Sequence, residues 1–371
     1  MKCNKKNSYA IVLCCSLFLF LTAFGLLAVL CADQTYSRTE RRRLAQKPEL
    51  SVSSFFQGNF QEDAAEYLPD QFPLREIFRS AKALFVTYVL GQSDTNDLVQ
   101  YQGGLYQISN ALQENRVVQN ADNFSRIRER YFPDAKVYYA VIPDKNYFLP
   151  EETCPRLDYE KLYQLMNQHM TDMQEISIAE YLELSDYYRT DLHWKQEELL
   201  PAAEALLTQM NVTDSEKYDI ITFCEEFYGA YYGQAALPCE PDTLCYLTNE
   251  SIKQAKVIDF EKGSDQTGQM YELNSMTHID PYDLYLNGPR AILEIENPGQ
   301  HNGRELFLFR DSFGSSMAPL LIGGYERVTL IDLRYVSADL LGNYIKFPED
   351  CDVLFLYNTS LLNSNSLSML Q

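Results

Sequence analysis

The sequence predicts an α/β fold: a mostly parallel sheet covered by helices on both faces, with a β-rich insertion and an N-terminal transmembrane helix. Three observations carry this. From about residue 100 onward, short apolar runs alternate with segments of helical spacing, the pattern of strands joined by crossover helices. The runs are apolar at consecutive positions, as strands buried on both faces require. Near the N-terminus an uncharged stretch has the ~20 residues that a helix needs to cross a bilayer.

That stretch comes first in the chain. "MKCNKKN" carries Lys2, Lys5 and Lys6 and no acid, and Tyr9 to Ala32 contains no charged residue. Lysines before the span and acids after it predict a cytoplasmic N-terminus and an outward-facing remainder. A cleaved signal peptide is the rival reading, but its apolar core would be only ~7–15 residues and would end in small residues. Leu30-Cys31-Ala32 is a poor cleavage site, and the residues before Cys31 fit a lipoprotein signal badly. An uncleaved anchor over residues 1–32 is therefore expected.

Residues 33–99 read as a juxtamembrane tether followed by a helical element. Over 61–90, Ile77, Phe78, Ala81, Leu84, Phe85 and Tyr88 recur at helical spacing, and Gly91 is placed to cap the end. Residues 100–371 form the α/β domain. "AKVYYAVIP" (135–143), "ELFLFR" (305–310), "RVTLIDLR" (327–334) and "DVLFLYN" (352–358) are its strands. Helices are expected over 159–170 and 197–210, the second with Pro201 in its first turns. Residues 212–300 break the rhythm with aromatics and turn residues, and read as a β-rich insertion.

The charge balance narrows the partners. All 52 acidic residues lie beyond residue 32, together with all but three of the 31 basic ones. So acidic an exterior argues against nucleic acid and anionic lipid, whose binding needs clustered Lys and Arg. Of nine cysteines, Cys154, Cys224, Cys239, Cys245 and Cys351 lie outside the membrane region, an odd number that cannot all pair within one chain. Cys239 and Cys245 flank a short Pro-containing turn and are the pair able to bridge. No C-x-x-C pair or His–Cys cluster points to zinc, and no cofactor is implied.

Two short segments carry the chemistry. "RTDLHWKQ" contains Asp191, His193 and Trp194, and "LFLFRDSFGSS" contains Arg310 and Ser312. In open parallel sheets ligands sit at the carboxyl ends of strands. Ser312 falls at such an end, where it can present its hydroxyl and where the next helix offers backbone N–H groups. Ser312 or Asp311 as a plain helix cap is the alternative. A hydroxyl nucleophile needs a base, and the base needs a third group to fix its tautomer. Asp191 and His193, two residues apart, can face one side of an extended segment. Here the alternative is a helix start capped by Asp191. Trp194 has the chemistry to stack on a sugar ring, though a lone tryptophan is more often core. Lys145 has the chemistry to hold a crevice loop or pair with an acid, and Arg310 to orient Asp311 or a substrate carboxylate. Asn358, at the last strand's end, can donate to an oxyanion or simply start a turn.

"DLHW" with a distal "DSF" resembles the SGNH-hydrolase-like enzymes of bacterial exopolysaccharide O-acetylation, the alginate AlgX/AlgJ type. It is more similar still to their Gram-positive relatives named for a D-H-H-W motif. "ERRRLAQKPEL", "DQFPLRE" and "VIPDKNYFLP" resemble further elements of that family, so the likeness runs from about residue 36 to 358. Leu192 stands where the motif has its first histidine. The resemblance implies an SGNH-like three-layer α/β/α catalytic domain over 100–371, with Ser312, His193 and Asp191 as the triad. It implies an acyl-enzyme that passes an acetyl group to a cell-surface polysaccharide, supplied by a multi-spanning membrane O-acyltransferase. A polysaccharide esterase with the same triad, and an inactive glycan-binding or assembly protein, remain the alternatives.

Overall fold

The computed structural model describes residues 2–108, 111–214, 216–260 and 267–367. The side chains of residues 2–8, and with them Lys2, Lys5 and Lys6, lie outside that description, as do those of 29 and 267. The chain forms two units, Met1–Gln92 with Ala236–Pro238, and Ser93–Ala235 with Cys239–Gln371.

The first unit begins with helix α1 (Lys2–Leu30). Its segment Tyr9–Ala28 is the one stretch among the described residues that is helical, long and apolar enough to cross a membrane. The expected helix over 61–90 is split. One helix runs Asn59–Asp70, and α2 (Arg75–Leu84) starts after a turn and continues as a wider π turn over Phe85–Val89. Pro73 accounts for the break: proline disfavours helical backbone in the residue before it, and Leu74 follows in the left-handed region at φ 59°.

The second unit is built on an eight-stranded sheet. In chain order its strands are β1 (Lys136–Ile142), β2 (Gln174–Glu175), β3 (Lys256–Asp259), β4 (Thr267–Gly268), β5 (Ile292–Glu296), β6 (Glu305–Arg310), β7 (Arg327–Ile331) and β8 (Asp352–Asn358). Across the sheet they run β4-β3-β5-β7-β6-β8-β1-β2. The pairs from β7 to β2 are parallel, and those from β7 to β4 antiparallel. The mostly parallel α/β architecture is thus present, with an antiparallel edge.

That edge comes from the segment read as an insertion. Only its first half stands apart, as a hairpin pairing Asp219–Phe227 with Asp242–Thr248. Its second half supplies β3, β4 and β5, which extend the main sheet. "ILEIE" does not mark itself as a sheet strand in the sequence, because its glutamates interrupt the continuous apolar run that identifies a strand buried on both faces.

Burial on both faces follows from side-chain alternation along each strand. Tyr138, Ala140, Leu306, Leu308, Leu354 and Leu356 face one core, shared with helices α5 (Leu200–Gln209) and α6 (Ser312–Leu321). Val137, Tyr139, Phe307, Phe309, Val353 and Phe355 face the other, shared with α3 (Glu114–Tyr131) and α4 (Tyr159–His169). Because β6, β8 and β1 are in register, their carboxyl ends at Arg310, Asn358 and Ile142 lie side by side. The cysteines expected to be able to bridge do not. Cys239 Sγ lies 2.9 Å from the Gly103 carbonyl, and Cys245 is buried beside Thr222.

Candidate functional site

Ser312 opens α6 directly beyond β6, and Asp311 before it takes the cap. One Asp311 carboxylate oxygen accepts from the Phe313 amide at 2.9 Å and the other from the Asn358 amide at 2.8 Å. The acid thereby ties the helix start to the end of β8 and leaves the Ser312 hydroxyl uncommitted to capping. Burial raises the Asp311 carboxyl above its usual range, against the pull of those two amides. Gly314 lets the helix sit tight on the strand, since a Cβ there would lie 2.5 Å from Arg310 Cβ.

The segment carrying Asp191 and His193 is a tight turn rather than a helix start. Tyr187 and Trp194 bridge antiparallel across it, and the Tyr188 amide donates to the His193 carbonyl at 3.1 Å. Inside the turn Asp191 accepts from the His193 amide at 3.0 Å, an Asx turn that aims both side chains the same way.

Asp191, His193 and Ser312 meet in one hydrogen-bonded chain. Asp191 Oδ1 lies 2.7 Å from His193 Nδ1, and His193 Nε2 lies 2.8 Å from Ser312 Oγ. An ionised carboxylate can only accept, so Nδ1 carries the ring proton and Nε2 faces the hydroxyl as acceptor. Asp191 is fully buried, and its second oxygen accepts from the Ala230 amide at 2.7 Å. Ser312 is half-buried. Beside it opens a cleft of about 260 Å³ lined by Leu192, Phe313, Tyr231, Lys145, Asn358 and Ser360 among others.

Residues 158–331, which include all three side chains, match the family model described as DHHW protein. The match covers a little under half of the chain, so this stretch is similar to the DHHW family. The solved structure of a DHHW family protein from Eubacterium siraeum resembles the chain with a TM-score of 0.59 at 21% identity, over 74% of this chain and 96% of that one. Bacillus cereus PatB1, solved with a sulfonyl adduct, has a TM-score of 0.57 at 16% identity, over 74% and 98%. At these identities the likeness is one of fold. No curated protein matches the chain in sequence.

Four further residues named from the sequence lie in the matched stretch or beside it, and each takes a structural place. Trp194 cannot stack on a sugar, being 0% exposed. Its indole N–H donates to Ser316 Oγ at 2.8 Å, as a buried tryptophan requires. Arg310 is buried behind the site, where its guanidinium meets Asp332 and the Asp311 carbonyl at 3.4 Å each. Asn358 lines the cleft, but its amide is spent on the Ile142 carbonyl and the Ser360 amide, which is the turn-starting role. Lys145 points inward as a loop holder. Its ammonium donates to the carbonyls of Tyr188, Arg189 and Asp191 at 2.8, 3.3 and 2.9 Å, between the rings of Tyr106 and Tyr231. Burial draws its pKa down to about 7.

Other residues of the matched stretch were missed in the sequence. Tyr282 stacks on the His193 imidazole, with centroids 3.9 Å apart and planes 9° from parallel. Its hydroxyl donates to Ser316 Oγ at 2.9 Å, so Ser316 accepts from Tyr282 and Trp194 together. Asp242 fixes the turn from outside, accepting from the Arg189 and Thr190 amides at 2.9 and 2.8 Å. Gly229 packs directly on the acid: a Cβ there would lie 2.3 Å from Asp191 Cβ. Ser316 closes the segment "LFLFRDSFGSS" without being singled out there, and the other three come from residues 212–300 and stand in no motif.

Proposed function

We propose that the protein is a membrane-anchored, outward-facing serine O-acyltransferase that places acetyl groups on a cell-surface polysaccharide. The observation that carries this reading is the unbroken Asp191–His193–Ser312 hydrogen-bonded chain at the carboxyl edge of the sheet. Ser312 Oγ attacks the acyl carbonyl while His193 Nε2 takes its proton. The carbonyl electron pair moves onto oxygen, and that oxyanion meets the start of α6. Asp311 occupies the Phe313 and Gly314 amides, which leaves the Ser312 N–H as the first donor there. Collapse expels the donor's alcohol, which leaves with the proton from His193. A sugar hydroxyl then gives its proton to His193 and attacks the acyl carbon; the bond to Ser312 Oγ breaks, Oγ takes that proton back from His193, and the acetyl ester of the glycan leaves. Asp191 keeps the imidazole in one tautomer and balances its transient charge.

The anchor reading rests on α1, and the acetyl donor is then a multi-spanning membrane acyltransferase on the same surface. A sulfonyl reagent, as found on PatB1, should label Ser312 and block turnover. The test is to incubate the full-length protein with a chromogenic acetyl ester, with and without a glycan. Acetyl recovered on the glycan supports the transferase; release to water at the same rate in both favours the esterase. No turnover with either leaves a glycan-binding protein.

A further inference from the structure

Helix α2 and the π turn after it are built the wrong way round for a soluble surface. A helix that packs on protein turns its apolar stripe inward and its charges outward. Here Arg75 and Arg79 face the rest of the unit, while Lys82 is exposed. Arg75 and Arg79 reach Glu40 at 2.5 and 3.1 Å, and Arg75 also lies 3.5 Å from Asp70. The apolar stripe, Leu74, Ile77, Phe78 and Phe85 at helical spacing, faces out, with Leu74, Ile77 and Phe85 at 57%, 63% and 52% exposure. Contiguous apolar surface of this kind marks an interaction site.

A second observation identifies what covers it. Phe24 of α1 stacks on Phe72 at 5.4 Å and meets Phe78 edge-on at 5.6 Å. Phe72 and Phe78 also meet at 5.6 Å, so the three rings form one cluster. Phe24 lies four residues inside the end of the apolar span Tyr9–Ala28, which is about 6 Å along a helix. Interfacial helices bury their apolar face ~5–10 Å into the headgroup and acyl boundary. The cluster therefore sets the stripe at the depth where lipid, and not water, would cover it.

We propose that residues 72–90 lie flat in the membrane interface, with Leu74, Ile77, Phe78 and Phe85 in the acyl boundary and the Arg75–Arg79 face held against the protein by Glu40 and Asp70. This rests on the anchor part of the proposed function and is independent of its chemistry. The partner is the bilayer itself, because the stripe is continuous with the spanning helix through the phenylalanine cluster.

The test uses the full-length protein in vesicles of phosphatidylethanolamine and phosphatidylglycerol, with or without brominated acyl chains. Trp194, the only tryptophan, is fully buried and supplies the background emission. Phe78→Trp and Phe85→Trp each add one reporter. Both variants should float with the vesicles and lose the added emission in brominated lipid. Variants that float but keep that emission would overturn the interfacial helix while the anchor stands. A blue-shifted but unquenched emission would do the same, and would assign the stripe to a second copy or a protein partner. Protein that fails to float would remove the anchor, and the inference with it.

Discussion

His193 is held on three sides, and each contact limits a different freedom. Asp191 fixes its tautomer, Tyr282 its ring plane, and Ser312 receives its free nitrogen. Residues that act as one unit lose activity non-additively. Ser312→Ala, His193→Ala and their double mutant should therefore be similarly inactive in acetyl-ester turnover while remaining folded, and Leu192→His should leave turnover largely intact. Because Asp311 is the cap, Ser312→Ala should cost little stability, whereas Asp311→Ala should cost about 0.5–2 kcal/mol for the cap alone. Denaturant midpoints of the two variants check this. Gly229→Ala drives a methyl into Asp191; a displacement of about 1 Å at such a group costs on the order of 100-fold in rate. A steady-state comparison showing wild-type kcat would remove Gly229 from the account. Asp191, His193 and Ser312 were legible in the sequence because each lies in a short local motif. Tyr282 and Gly229 were not, because each meets its partner only through tertiary packing across tens of residues. Trp194 took the core place that a lone tryptophan more often has, and its N–H found a buried acceptor, Ser316, that only the fold supplies.

At the scale of elements, the turn 187–194 is hung from two anchors. Asp242 of the hairpin accepts two of its amides, and Lys145 after β1 donates to three of its carbonyls. The lysine gives this element a pH signature. Its pKa falls from 10.5 to about 7 through burial, with Asp191 and Asp242 pulling it upward. Between those values the unfolded chain binds a proton at Lys145 and the folded chain does not. Its contribution to stability therefore improves as pH rises from about 7 toward 10.5, and is lost again as pH falls through 7. Lys145→Met should flatten urea midpoints across that window relative to wild type. The same variant leaves three carbonyls without their donor, so turnover should drop as well. Equal slopes for the two proteins would mean that the ammonium is not desolvated. The central strands could be read directly, since "ELFLFR" and "DVLFLYN" are buried on both faces and cannot alternate. The antiparallel strand Ile292–Glu296 could not, because its glutamates make it resemble a solvated hairpin.

For the whole molecule, the register of β6, β8 and β1 gathers Ser312, Asn358 and Lys145 at one edge of the sheet, and the segment beyond residue 212 closes over His193 with Tyr282. What was described as an insertion is therefore part of both the sheet and the site. Its β character was legible in the sequence, but not which of its strands join the main sheet, because Lys256–Asp259 and Ile292–Glu296 find their place only by pairing with Arg327–Ile331 and each other. The central claim is that Ser312 carries the acyl group. The direct measurement is peptide mass analysis after the full-length protein is mixed with an activated acetyl ester, without acceptor, and quenched in acid. One acetyl group on the peptide containing Ser312, absent in His193→Ala and discharged when glycan is added before the quench, is the predicted result. Acetyl ester turnover that persists in Ser312→Ala, or an acetyl group trapped on another residue, would contradict the account.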